Sequence, residues 1–238
     1  DKLDRPVATG PAHSPFSDIN SEGWIITKYD AFSRPVYTGW NNQASTSATR
    51  KSLQDAQNAA SVLYEKKQNS GTIDGIAVNY TNQIEPLVFK LLTVNYYDTY
   101  AYPNAPATPS SIEDQSVLIN AKGLATGNWT RVLSSTTSTA GETATTFYDP
   151  KARPVRTYIQ NYLGGYTYTD SKLDFTGKTL HTIKGHKRTS GSSELVTREE
   201  FTYSAQDRLL IHTHQINNGP LETIASNTYD DLGQLSSK

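Results

Sequence analysis

Six short stretches of the chain can be laid over one another in register, and this repetition limits the fold more than any other feature. Asp1-Lys2-Leu3-Asp4-Arg5-Pro6-Val7-Ala8-Thr9 aligns with Asp30-Ala31-Phe32-Ser33-Arg34-Pro35-Val36-Tyr37-Thr38 and with Asp149-Pro150-Lys151-Ala152-Arg153-Pro154-Val155-Arg156-Thr157. Asp174-Phe175-Thr176-Gly177-Lys178-Thr179-Leu180-His181-Thr182 follows, then Ser204-Ala205-Gln206-Asp207-Arg208-Leu209-Leu210 and Asp230-Asp231-Leu232-Gly233-Gln234-Leu235. The first position is Asp in five of six copies, the fifth is Arg or Lys in five of six, and the seventh is Val or Leu in five of six. Tyr29, Tyr148 and Tyr229 precede the Asp, and Tyr203 precedes Ser204. With 22 Lys and Arg among 238 residues, five basic residues in one column are not a chance event.

Each copy reads as a β-hairpin. The residues before the first position are strand formers, as in Ile25-Ile26-Thr27-Lys28-Tyr29 and Thr145-Thr146-Phe147-Tyr148. An Asp opening a turn can accept hydrogen bonds from amides inside it. On the returning strand Arg34, Val36 and Thr38 share one face by the two-residue period. Pro at the sixth position cannot donate to a ladder, so that site should point away from the neighbouring strand or lie at an edge. The 30 Thr and 15 Tyr agree with a chain built mainly of β structure.

The first positions are spaced by 29, 119, 25, 30 and 26 residues. This divides the chain into repeats over 1–40, an insertion over 41–139 and regular repeats over 140–238. Within the insertion, Thr49 to Gln68 is the expected helix: Leu53, Ala56, Ala60, Leu63 and Tyr64 form the stripe, Ser47 or Thr49 the cap, and Gly71 the stop. Ala77–Tyr80, Leu87–Asp98, Val117–Asn120 and Thr130–Leu133 are expected strands, and the second ends in a further Tyr-Asp pair.

A net charge of −1 provides no field to gather nucleic acid or an anionic membrane. No apolar run approaches the length of a membrane-spanning helix. Cys is absent, which excludes disulfides, thiolate metal sites and cysteine nucleophiles. Met is absent too, so the chain is expected to be a piece of something longer. Hydrophobic residues make up 35%, so the expected core is thin or shared with other chain.

Tyr-Asp followed by x-x-Gly-Arg-x-[Val/Leu] resembles the YD repeat of Rhs proteins, found also in the B/C components of insecticidal toxin complexes and in teneurins. The connecting segments Leu92–Asp98, Gly123–Gly127, Arg131–Leu133, Asp174–Lys178 and Asn227–Leu235 are similar to Rhs-repeat proteins of Bacteroidetes. The resemblance implies a spiralling strip of antiparallel YD-repeat hairpins, a segment of a hollow shell that encloses or presents a C-terminal toxin or effector domain. It implies a non-enzymatic, cofactor-free structural role and a secreted or cell-surface location, with type IX secretion as the route. The partners implied are the remaining repeats of the same polypeptide and the enclosed effector, with secretion machinery or a surface glycan as further candidates. The family's self-cleavage motif, built on Asp-Pro-x-Gly, is not matched by Asp149-Pro150-Lys151-Ala152.

The residues expected to carry the structure are Tyr29, Asp30, Arg34, Tyr148, Asp149, Arg153, Asp174, Lys178, Tyr203, Arg208, Tyr229 and Asp230. A catalytic residue is needed once, whereas these recur at a fixed spacing. Tyr97 and Tyr100 are the candidates for ligand contact if the chain is instead an adhesive, glycan-binding module. His212 and His214 share a strand face and could ligate a metal, but no acidic residue stands beside them in sequence, so a solvated face is the stronger reading. Glu194, Glu199, Glu200 and Asp207 could be paired as hydrolytic carboxylates. Solvent contacts explain them more simply.

Overall fold

The computed structural model describes all 238 residues and is mainly β, with one helix. In chain order the elements are β1 (Ala8–His13), β2 (Glu22–Tyr29), β3 (Pro35–Asn41), α1 (Ser47–Ala59), β4 (Lys67–Ile73), β5 (Ile76–Tyr80) and β6 (Lys90–Tyr97). Then follow β7 (Ser111–Ile112), β8 (Gln115–Ser116), β9 (Ala125–Arg131), β10 (Gly141–Tyr148), β11 (Pro154–Gln160) and β12 (Gly164–Leu173). The last are β13 (Thr179–Thr189), β14 (Leu195–Tyr203), β15 (Leu209–Ile216), β16 (Glu222–Ser226), β17 (Thr228–Tyr229) and β18 (Leu235–Ser237). The chain forms two compact units: Asp1–Ala105 with Gly127–Thr143, and Pro106–Thr126 with Ala144–Lys238.

In the first unit the sheet order is β1-β2-β3-β6-β9, and β1–β2, β2–β3 and β3–β6 pair antiparallel. Pairing of Trp24 with Asn41, Ile26 with Gly39 and Lys28 with Tyr37 puts Trp24, Ile26, Lys28 and Tyr37 on one face. The β4–β5 hairpin joins the same core through Ile73, Ile76, Val78 and Tyr80. Tyr37 meets Tyr80 edge-on at 6.0 Å and donates its hydroxyl to the Tyr80 carbonyl at 3.0 Å. Val36, Leu91 and Val94 are wholly buried in this cluster. Burial of this apolar surface is the main stabilisation of the unit.

The second unit is built differently. Its main sheet is a meander in the order β10-β11-β12-β13-β14-β15-β16, with β7–β8 and β17–β18 as separate two-stranded ladders. Each neighbouring pair from β11 to β16 is antiparallel. Its buried apolar side chains are Ile112, Val117, Ala121, Phe147 and Val155, and none follows Val155. Ile211, Ile216 and Ile224 are 40%, 51% and 53% exposed, so β12–β16 has no apolar layer of its own.

The helix is shorter than its sequence stripe. It spans Ser47–Ala59 and is capped by Thr46, whose hydroxyl accepts from the Thr49 amide at 3.2 Å while Thr49 Oγ1 accepts from the Thr46 amide at 3.0 Å. The chain turns extended at Ala60 rather than running on to Gln68, and Gly71 lies inside β4 rather than at a helix end. The cause is tertiary: Glu65 must reach Thr81, Gln83 and Ile84, and the Leu63 carbonyl must reach Arg5. Those partners are incompatible with a helical path through 60–68.

The insertion is not one block either. β6 and β9 both take places in the main sheet order, so the chain leaves and rejoins the sheet between repeats. Leu87, Val88 and Phe89 precede β6 rather than belonging to it, and the strands expected at 117–120 and 130–133 occur instead at 115–116 and 125–131.

Candidate functional site: a turn hub passed from repeat to repeat

All six aligned segments adopt one turn. Asp30 shows its parts: Oδ1 accepts from the amides of Phe32 and Arg34, both at 2.9 Å, and Oδ2 accepts from Arg34 Nε at 2.7 Å. The Asp30 amide donates to the Arg34 carbonyl at 3.0 Å, and the Ser33 amide returns to the Asp30 carbonyl at 3.1 Å. Asp149 repeats this set with the amides of Lys151 and Arg153 at 2.9 Å and Arg153 Nε at 2.7 Å. Asp1 does so with Leu3 at 3.0 Å, Arg5 at 3.1 Å and Arg5 Nε at 2.9 Å.

The remaining copies keep the turn and vary the side chain. Asp174 Oδ1 accepts from the amides of Gly177 and Lys178 at 2.9 Å and from Thr176 Oγ1 at 2.7 Å. Ser204 Oγ serves the amides of Gln206 and Arg208 at 3.2 Å, and Asp230 takes the Gln234 amide at 2.7 Å. The fourth residue is left-handed every time: Asp4 φ 55, Ser33 φ 61, Ala152 φ 61, Gly177 φ 101, Asp207 φ 62 and Gly233 φ 79. Ala152 bears that conformation with neither glycine's freedom nor a local polar partner on its side chain.

The fifth-position cation does more than close its own turn. Arg5 Nη1 donates to the Asp30 carbonyl at 3.5 Å and to Ser33 Oγ at 3.3 Å. Arg34 forks onto Asp98, Nη1 to Oδ1 at 2.9 Å and Nη2 to Oδ2 at 2.8 Å. Arg153 Nη1 reaches the carbonyls of Asp174 and Phe175 at 2.9 and 3.2 Å, and Lys178 Nζ donates to Asp207 Oδ1. Arg208 presses on Gly233, where a Cβ would meet its Nη2 at 1.8 Å. Arg5, Arg34, Arg153 and Lys178 thus each bind both their own turn and a later segment of the chain, while Arg208 lies against the turn that follows it.

The tyrosines run in the opposite direction. Tyr29 donates to the carbonyl of Pro6 at 2.7 Å, Tyr97 to Pro35 at 3.0 Å, Tyr203 to Thr179 at 3.0 Å and Tyr229 to Leu209 at 2.9 Å. In all four cases the acceptor directly follows a fifth-position cation. That cation also stands over the same ring: Arg5 at 4.6 Å from Tyr29, Arg34 at 4.2 Å from Tyr97, Lys178 at 4.8 Å from Tyr203 and Arg208 at 5.6 Å from Tyr229. Tyr148 keeps the habit with the Ala125 carbonyl at 2.6 Å. The Tyr-Asp dipeptide therefore joins a residue that grips the preceding hairpin to one that builds its own.

Sequence reading missed a seventh hub. Asn161 Oδ1 accepts from the amides of Leu163 at 3.0 Å and Gly165 at 2.9 Å, with Gly164 left-handed at φ 80. Asn replaces the Asp and Gly165 replaces the cation, so the column pattern is blank there. This turn joins β11 to β12, at the opposite end of the meander from the Asp149 turn.

The other expected sites are occupied by neighbours. Tyr100 is 8% exposed, whereas Tyr97 is half-buried, with Arg34 over its ring and its hydroxyl donating to the Pro35 carbonyl. His214 does have acidic neighbours, Glu199 and Glu222, which strand pairing supplies and linear spacing hides. His212 Nε2 lies 3.7 Å from Glu199, yet no group of three metal-ligating side chains converges. Of the carboxylates considered for hydrolysis, Glu194 accepts from the Tyr166 hydroxyl at 3.0 Å, Glu200 from Arg198 Nε at 2.7 Å and Asp207 from Lys178.

The hub holds its charges firmly. Burial pushes the Asp149 carboxyl up, but Arg153 and the turn amides outweigh it and hold the group below the usual carboxylate range. Thr176 Oγ1 is the largest influence on Asp174, which is lowered to about 2 with help from the amides of Lys178, Gly177 and Thr176. A carboxylate depressed in the fold contributes stability that is present above its unfolded pKa of about 3.9 and is lost as pH falls through the folded value. Carboxyl NMR titration is expected to place the Asp174 midpoint near 2, and Thr176→Val to move it upward. Relief of the left-handed alanine is a second test: Ala152→Gly should raise the urea midpoint, by up to about 1 kcal/mol in stability. A scan against protein-family models finds no match, and no curated protein sequence is significantly similar to the chain.

Proposed function

We propose that this chain is a length of structural wall in an Rhs-type YD-repeat protein, folded as a curved strip of hairpins that encloses or presents a C-terminal effector. The reading is supported above all by the two-way coupling of successive turns, in which cations reach forward and tyrosines reach back. Such coupling makes each hairpin depend on its neighbours, as in other quasi-one-dimensional repeat proteins. The bare faces of β12–β16 suit a sheet that receives its second layer from elsewhere in a larger assembly. The protein's role is then mechanical and non-enzymatic: it separates an interior from solvent outside the cell. The adhesive alternative has less support, because Tyr100 is buried and Tyr97 already engages Arg34 and Pro35.

The test is protection of the effector in the full-length secreted protein. Proteinase treatment is expected to spare the C-terminal segment in the wild type and to degrade it faster when Asp149→Ala and Asp174→Ala open neighbouring turns. A C-terminal segment digested in the intact wild type as fast as when released from the repeats would overturn the proposal.

A further inference from the structure

Lys28 lies where its strand should present an apolar residue. It follows Trp24 and Ile26 on the core face of β2, and its side chain is 1% exposed. Its amine donates to Asn82 Oδ1 and, at 2.5 Å, to the Ile84 carbonyl, and it stands 4.7 Å from the centre of the Phe89 ring. Glu65, whose side chain is 0% exposed, holds Oε1 3.7 Å from the amine. The same carboxylate accepts from Thr81 Oγ1 at 2.6 Å and the Gln83 amide at 3.0 Å, the residues on either side of Asn82. None of these groups takes part in the turn hubs.

The geometry points to a covalent cross-link, an isopeptide bond formed between Lys28 Nζ and the side-chain amide of Asn82. The reacting carbon, Asn82 Cγ, is one C=O bond length from the oxygen that Lys28 already touches, so amine and electrophile are held near the separation a nucleophilic attack requires. Attack needs the neutral amine. Burial favours it, lowering the Lys28 pKa to about 8 against the opposing pull of Glu65 and Glu85.

Glu65 takes a proton from the Lys28 ammonium, and the freed amine attacks Cγ to give a tetrahedral adduct. The proton held by Glu65, with one from Nζ, then passes to Asn82 Nδ2. The Cγ–Nδ2 bond breaks as the carbonyl reforms. The ammonium side chain and primary amide become a secondary amide and an ammonium ion, with Glu65 restored as a carboxylate. No oxidant or reductant is needed. Asn82 Nδ2 donates to the Leu87 carbonyl at 2.9 Å, beside the exposed Leu87 and Val88, which gives the leaving nitrogen a route to solvent.

The bond would fasten β2 to the segment between β5 and β6, closing a loop of covalent chain in a protein that has no cysteine to do so. Denaturing mass spectrometry of the purified wild type is expected to find the chain lighter by one ammonia. Tryptic digestion should yield one branched peptide joining Lys28 to Asn82, with no cleavage after Lys28. Asn82→Ala, at a partly exposed position, is expected to fold and to show its full sequence mass with cleavage after Lys28 restored. Full sequence mass in the folded wild type, with Lys28 and Asn82 recovered in separate linear peptides, would overturn the cross-link and leave a buried ion pair.

Discussion

A single carboxylate with both oxygens assigned sets the pattern for the chain. In each complete hub one oxygen gathers two turn amides while the other holds the cation four residues on. Amides inside a tight turn have no ladder partners and must be satisfied locally. Satisfying them with an anion places negative charge beside the fifth position and fixes the root of the Arg or Lys there. Its far end is then free to bind the following segment. Removing the carboxylate would leave amides unpartnered and a guanidinium unanchored in the same step, a larger loss than one surface ion pair.

The two units depend on this device to different degrees. The first has an aromatic and aliphatic core in which Trp40, Tyr37, Leu91 and Val94 are almost wholly buried. There the hubs trim a structure that burial already stabilises. In β12–β16 no apolar side chain is buried, so cross-strand hydrogen bonds, the turn hubs and the cation–tyrosine pairs carry most of the local order. The tyrosines stacked across β11 and β12 face one another, Tyr158 with Tyr166 at 5.8 Å and Tyr166 with Tyr168 at 6.2 Å, which strengthens the ladder and covers ring faces.

The repeat was legible in sequence because its chemistry is local: carboxylate, left-handed residue and cation lie within five positions. The hairpins and the turn role of Asp could be read from spacing and residue type; that Pro35 and Pro154 open their strands came only from the structure. What was not legible depends on partners distant in sequence. The helical stripe from Leu53 to Tyr64 ran past its true end because Glu65 answers to Thr81 and Ile84, not to its own periodicity. Asp98 could be read only as part of a further Tyr-Asp pair, and nothing in its spacing showed the fork from Arg34. Asn161 was invisible since an amide performs the carboxylate's backbone task without its charge. Lys28 passed for an ordinary strand residue, although its place in the Trp24, Ile26 alternation was a signal that a cation had been put in the core.

The claim at the centre of this account is that a cation belonging to one turn stabilises the next, and the fork between Arg34 and Asp98 is the pair in which both partners can be changed. A double-mutant cycle with Arg34→Gln and Asp98→Asn, read by urea unfolding, measures it directly. The account predicts a coupling free energy above about 1 kcal/mol, as expected for a bidentate charged pair partly withdrawn from water. Changes that add to within about 0.3–0.5 kcal/mol would show the two segments to be energetically independent and would contradict it.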